Sequence, residues 1–85
     1  MKHAGPDALD QLEPILAELR KLPGLKEKKR GAFYHGPSGF LHFHEDPAGF
    51  FADVKLNGRE FVRMPANNAR EVATLLRKAA RAVGG

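Results

Sequence analysis

Apolar positions along the chain fall into three regimes. Over residues 7–22, Leu9, Leu12, Leu16 and Leu19, flanked by Ile15 and Leu22, recur at three- and four-residue intervals. That spacing predicts a helix with one buried face. Asp10 and Glu13 are spaced as a capping box, which would place Pro14 in the first turn, where a missing N–H does least harm. Alternatively Asp7 caps a longer helix that Pro14 kinks, and Leu22-Pro23-Gly24 ends it in both cases. Lys26-Glu27-Lys28-Lys29-Arg30 has no apolar period and is expected to run from helix to sheet as an exposed leading strand.

The second regime holds all seven aromatic residues, from Phe33 to Phe61. Gly36-Pro37-Ser38-Gly39, Asp46-Pro47-Ala48-Gly49 and Asn57-Gly58 divide it, which predicts four short strands at about 31–36, 40–45, 50–56 and 59–64. Met64-Pro65-Ala66 closes the sheet. In the third regime Asn68 caps a last helix with Glu71 at N3, and Val72, Leu75, Leu76, Ala79 and Val83 form its apolar face. Gly84-Gly85 ends it. The expected fold is α+β: residues 1–85 as one domain, a four-stranded antiparallel meander with two helices on one face, in the order α-ββββ-α.

Strand parity then assigns faces. Phe50, Ala52, Val54 and Leu56 alternate with Phe51, Asp53 and Lys55, so the first set should meet the helices. A type I′ turn at Asn57-Gly58 pairs Lys55 with Glu60 and Val54 with Phe61. The Asp46–Gly49 loop pairs Phe43 with Ala52, Leu41 with Val54, His44 with Phe51 and His42 with Asp53. With Gly39 in a bulge after Pro37-Ser38, Phe33 falls inside opposite Phe43 and Tyr34 outside opposite His42, while His35 turns inward. The uncovered face is then expected to show Tyr34, Phe40, His42, His44, Phe51, Asp53, Lys55, Glu60, Val62 and Met64. Half of that set is aromatic or apolar, which marks a contact surface.

Composition narrows the chemistry. The chain has 85 residues, no cysteine and a net charge of +4. A domain of this size buries roughly 60–65% of its unfolded surface, so covering the second sheet face calls for a partner. Thiolate sites and disulfides are excluded. No apolar run is long enough for a membrane span and no secretory h-region opens the sequence, so a cytoplasmic protein without membrane contact is expected. Basic residues concentrate in the last third, where Lys55, Arg59, Arg63, Arg70, Arg77, Lys78 and Arg81 face only Glu60 and Glu71.

Three surfaces follow from these placements. The leading expectation is a non-enzymatic module, without a cofactor, that forms a homodimer or binds a partner through Tyr34, Phe40, His42, His44, Phe51, Asp53, Lys55, Val62 and Met64. A nucleic-acid alternative would stack bases on Tyr34 and Phe51 beside Lys55 and meet phosphates with Arg70, Arg77 and Arg81. A metal alternative uses His42 and His44, two positions apart on one strand face, with Asp53 opposite; imidazole plus carboxylate suits zinc, nickel or non-haem iron. His42 with Asp53 could also make an oriented base, but no placed nucleophile, phosphate loop or triad pattern accompanies it.

The stretch Phe40-Leu41-His42-Phe43-His44-Glu45-Asp46-Pro47-Ala48-Gly49, followed by Phe51-Ala52-Asp53-Val54, resembles a group of small uncharacterised bacterial proteins. Leu22-Pro23-Gly24 and Phe33-Tyr34 belong to the same pattern. The α-ββββ-α order is more loosely similar to MmcQ/YjbR-type proteins, and that resemblance implies a CyaY-like fold and DNA binding. The chain departs from that group in having no tryptophan.

Overall fold

A computed structural model describes residues 2–84; Met1 and Gly85 lie outside the described residues. The elements are β1 (Lys2–His3), α1 (Pro6–Arg20), β2 (Leu25–Lys29), β3 (Ala32–His35), β4 (Ser38–Asp46), β5 (Gly49–Val54), β6 (Val62–Pro65) and α2 (Ala69–Gly84). One antiparallel sheet runs β2-β3-β4-β5-β6, and β1 pairs with β4. The architecture is thus α+β with two helices, but the sheet has more strands than the expected four. The additional members are the lysine-rich β2, the exposed leading strand expected at that segment, and the two-residue β1. β3 pairs with β4 from Ser38 to His42, and β1 takes up the pairing at His44 and Glu45, so the two lie end to end along one edge of β4.

Why the lysine-rich segment orders as a strand follows from its partners. Arg30 binds Asp10 and Glu13, while Arg20 binds Glu13 and Glu27. These pairs tie α1 to the β2–β3 hairpin, and Glu27 also accepts the Gly31 N–H at 2.9 Å. Gly31 has a φ of +83°, and a Cβ there would sit 2.5 Å from Leu9 Cδ2, so the turn against α1 requires glycine. Asp10 and Glu13 are therefore spent on arginines and form no capping box. Helix α1 instead starts behind Gly5 with Pro6 in its first turn, and Pro14 lies in the helix interior, as in the longer of the two expected forms. The Gly5 N–H donates to Glu45 Oε2 at 2.6 Å, which fastens the helix start to β4. At α2 the expected cap forms: Asn68 Oδ1 accepts the Glu71 N–H at 2.9 Å.

The β4–β5 register matches the expected one, with Leu41 opposite Val54, His42 opposite Asp53, Phe43 opposite Ala52 and His44 opposite Phe51. The flanking registers differ. In the β3–β4 hairpin the turn tightens to Gly36-Pro37, with Gly36 at φ +64°. Proline cannot take the positive φ that a type I′ turn needs at its second central residue, which leaves type II′. Phe33 accordingly pairs with Leu41 and Tyr34 with Gly39, and Phe40 becomes the extra residue of a bulge. The two-residue slip keeps Phe33 inside and Tyr34 outside. Phe40, expected on the open face, is buried in the core at 4% exposure.

At β5–β6 the slip is a single residue. Asn57 Oδ1 accepts the N–H groups of Arg59 and Glu60 at 2.9 and 3.0 Å, closing a turn through its side chain in place of a two-residue hairpin. Val54 then pairs with Val62, Asp53 with Arg63 and Ala52 with Met64. A one-residue shift exchanges the faces of a strand. Met64 turns to the helix side and packs against the core, Val62 faces the same way but stays 44% exposed, Arg63 turns out, and the expected Lys55–Glu60 pair does not form.

Both helices and the inner sheet face share one core, with Leu12, Leu16, Leu19, Phe33, Leu41, Val54 and Leu75 almost fully buried. Among the described residues, no helix is long and apolar enough to cross a membrane.

These placements predict that Phe33→Ala lowers stability in urea denaturation by about 3–5 kcal/mol. Phe61→Ala, at a side chain 44% exposed, should stay within about 0.5 kcal/mol. A large loss from the second variant would contradict the β5–β6 register. Arg20 and Arg30 lower the Glu13 pKa to about 2 by hydrogen bonding and charge. The folded-state value lies below the ordinary one, so this stabilisation is full above about pH 4.5 and disappears as pH falls toward 2. Urea midpoints of the natural protein and Glu13→Gln should differ at pH 6 and converge near pH 2.

Candidate metal centre on the outer sheet face

Parity along β4 sends Leu41 and Phe43 into the core and His42 and His44 to the opposite face. β5 then delivers Asp53 opposite His42, and β6 delivers Arg63 opposite Asp53. One imidazole or carboxylate atom from each of His42, His44 and Asp53 falls within a common 4.8 Å. Asp53 Oδ2 lies 3.2 Å from His44 Nε2 and 3.7 Å from His42 Nε2. The second distance exceeds a hydrogen bond, and the first is off the line along which a ring N–H would donate, since both His44 nitrogens lack a hydrogen-bond partner. His44 is nevertheless buried, with 9% of its surface exposed. Buried polar atoms are almost always paired, so these two nitrogens are the anomaly of the face.

Arg63 accounts for the state of Asp53. Its Nε and Nη2 donate to Oδ1 and Oδ2 at 3.0 and 3.2 Å, a bidentate pair. Burial alone would raise the Asp53 pKa, but the Arg63 hydrogen bonds and charge, with His44 and His42, outweigh it and hold the carboxyl below its usual range. His42 is moved down, first by burial and then by the neighbouring His44, against a weaker upward pull from Asp53; His3 and Arg63 add to the lowering. Imidazole that prefers its neutral form keeps a lone pair free, which is the form a metal takes.

The remaining expected residues divide. Tyr34, Phe51 and Lys55 join the histidines on the outer face, while Phe40, Val62 and Met64 do not. Arg70, Arg77 and Arg81 lie exposed on α2, whose buried side rests on the opposite face of the sheet. Two aromatic faces carry lysines: Lys28 Nζ is 4.4 Å from the Tyr34 ring centre and Lys55 Nζ 4.9 Å from that of Phe61.

Three residues that pattern reading missed belong to the neighbourhood. Phe61 sets its ring 5.0 Å from that of His42. Arg63 comes from the one-residue slip at β6. His3, directly opposite His44 on β1, brings a third imidazole. A shallow hollow of about 270 Å³ opens beside His3 and His42, bordered by Ala32, Tyr34 and Gly39.

No protein family, curated protein or solved structure matches the chain. Function is therefore read from the chemistry of the site.

The lowered His42 value has a definite sign. Its folded pKa lies below the ordinary 6.5, so the unfolded chain binds more protons there and stability falls as pH drops from about 6.5 toward the folded value. Asp53 is the neighbour that pulls His42 upward, so Asp53→Asn should shift its imidazole titration further down in an NMR pH series. An upward shift would contradict this account.

Proposed function

We propose that this protein binds a divalent transition-metal ion of the zinc type through His42, His44 and Asp53 on the open face of its sheet. The observation that carries the reading is the pair of unpartnered His44 nitrogens, buried where two further donors converge. Leaving such a group without a partner costs roughly 1–3 kcal/mol, which a metal–nitrogen bond would remove at one of the two. Donors around a tetrahedral zinc, with bonds of about 2.0–2.1 Å, stand roughly 3.3 Å apart. The three donor atoms already lie within 4.8 Å of one another, so that span asks for side-chain rotation toward a common centre. Two imidazoles and one carboxylate favour zinc, nickel or iron(II) over magnesium and calcium, which prefer all-oxygen shells. Arg63 supports the arrangement from outside, since it can keep Asp53 Oδ1 while Oδ2 turns to the ion.

A second reading treats the same face as the contact surface for another copy of the chain. The exposed ring of Phe61 beside His42 favours it. The inward turn of Phe40 and Met64 removes much of the apolar area on which it stood.

Competition with a chromogenic chelator should give one zinc per chain at micromolar concentration, with thermal stability rising as zinc is added. His44→Ala and Asp53→Ala should abolish uptake, and magnesium should not compete. A chain that takes up no zinc under these conditions overturns the metal reading. A strict monomer in sedimentation of the same samples, with and without zinc, overturns the second.

A further inference from the structure

Resting on the metal reading, we infer that His3 supplies a third imidazole to the same ion, so that binding also clamps β1 onto the sheet. Strand β1 is two residues long, and its pairing sets His3 directly opposite His44. Cross-strand partners share a face, so His3 joins His42 and His44 on the outer side. Ring centres lie 4.7 Å apart for His3 and His44, 4.8 Å for His42 and His44, and 5.6 Å for His3 and His42.

Those separations agree with shared ligation. Imidazoles on one tetrahedral zinc, with Zn–N of about 2.0–2.1 Å, have ring centres roughly 5 Å apart. The three rings already form a triangle of that size, and Asp53 Oδ2 stands 3.2 Å from one corner and 3.7 Å from another. Three nitrogens and one carboxylate oxygen make a four-ligand shell. The donor atoms that share 4.8 Å are those of His42, His44 and Asp53; the His3 ring, stacked at 28° to that of His44, must turn to bring a nitrogen to them. Its exposed position leaves room for that rotation, whereas buried His44 is held.

The consequence reaches beyond the ion. Strand β1 is held by its short pairing with β4, and Ala4 N–H to Phe43 O at 3.1 Å continues the pairing. So brief a strand is weak by itself. A metal bond from His3 would join it to β4 and β5 at once, and through Gly5 would steady the start of α1.

The test measures zinc affinity by chelator competition for the natural chain, His3→Phe, Lys2→Ala and His42→Ala. Phenylalanine keeps an aromatic ring against His44 but offers no nitrogen. The expected result is a loss on the order of a hundredfold in His3→Phe, one ligand's share of a four-ligand site, with Lys2→Ala unchanged. Zinc should also slow amide exchange at Ala4 in the natural chain and leave it unaltered in His3→Phe. If His3→Phe binds as tightly as the natural chain while His42→Ala does not bind, the His3 assignment falls and the metal site stands. If the natural chain binds no zinc, both fall.

Discussion

Nine residues of β4 place Leu41 and Phe43 against the helices and His42 and His44 on the opposite side, and pairing with β5 locks that division. The apolar half of the strand contributes to the core shared by the sheet and both helices. Its register cannot slip by one without putting two histidines into the core and two core residues into water. The energy that holds the fold is thus the same energy that aims the histidines. Asp53 arrives opposite His42 for the same reason, since Ala52 and Val54 on either side of it are fully buried.

Around that strand the structure separates two kinds of electrostatics. On the helix side, Arg20 and Arg30 bridge carboxylates of α1 and β2 in exposed pairs, each worth little alone but together binding the leading hairpin to the helix. On the outer side, one carboxylate binds an arginine and lies near two imidazoles, at longer range but in deeper burial. The first network is satisfied throughout. The second leaves both His44 nitrogens without a hydrogen-bond partner, and the metal proposal rests on that incompleteness.

Much of this could be read from residue order. The β4–β5 register followed from parity and a four-residue loop, and with it the meeting of His42, His44 and Asp53. The Asn68 cap was legible because a side-chain acceptor three residues before Glu71 has one plain use. What escaped were events that parity does not encode. The chain turned at Gly36-Pro37 one position earlier than its glycine content suggested, which freed Phe40 as a bulge. Asn57 closed its turn with a side-chain oxygen, and the resulting shift exchanged Val62 and Met64 for Arg63 on the outer face. His3 carried no signal at all, because a two-residue strand has no period. The apolar face expected for self-association shrank by these turns, and the polar cluster grew by them.

The placement of β1 also bears on how the sheet ends. Its outermost strands carry their own deterrents to pairing with another chain: Lys26, Lys28 and Lys29 along β2, and Pro65 in β6. The upper half of β4 has no such guard. Beyond the point where β3 stops, Phe43, His44 and Glu45 would offer bare N–H and carbonyl groups on an interior strand, were it not for Lys2, His3 and Ala4 lying against them. Lys2, His3 and Ala4 therefore serve as a plug. Whatever lifts them, whether truncation or loss of the interaction at His3, turns a finished sheet into one with a vacant berth for a foreign strand.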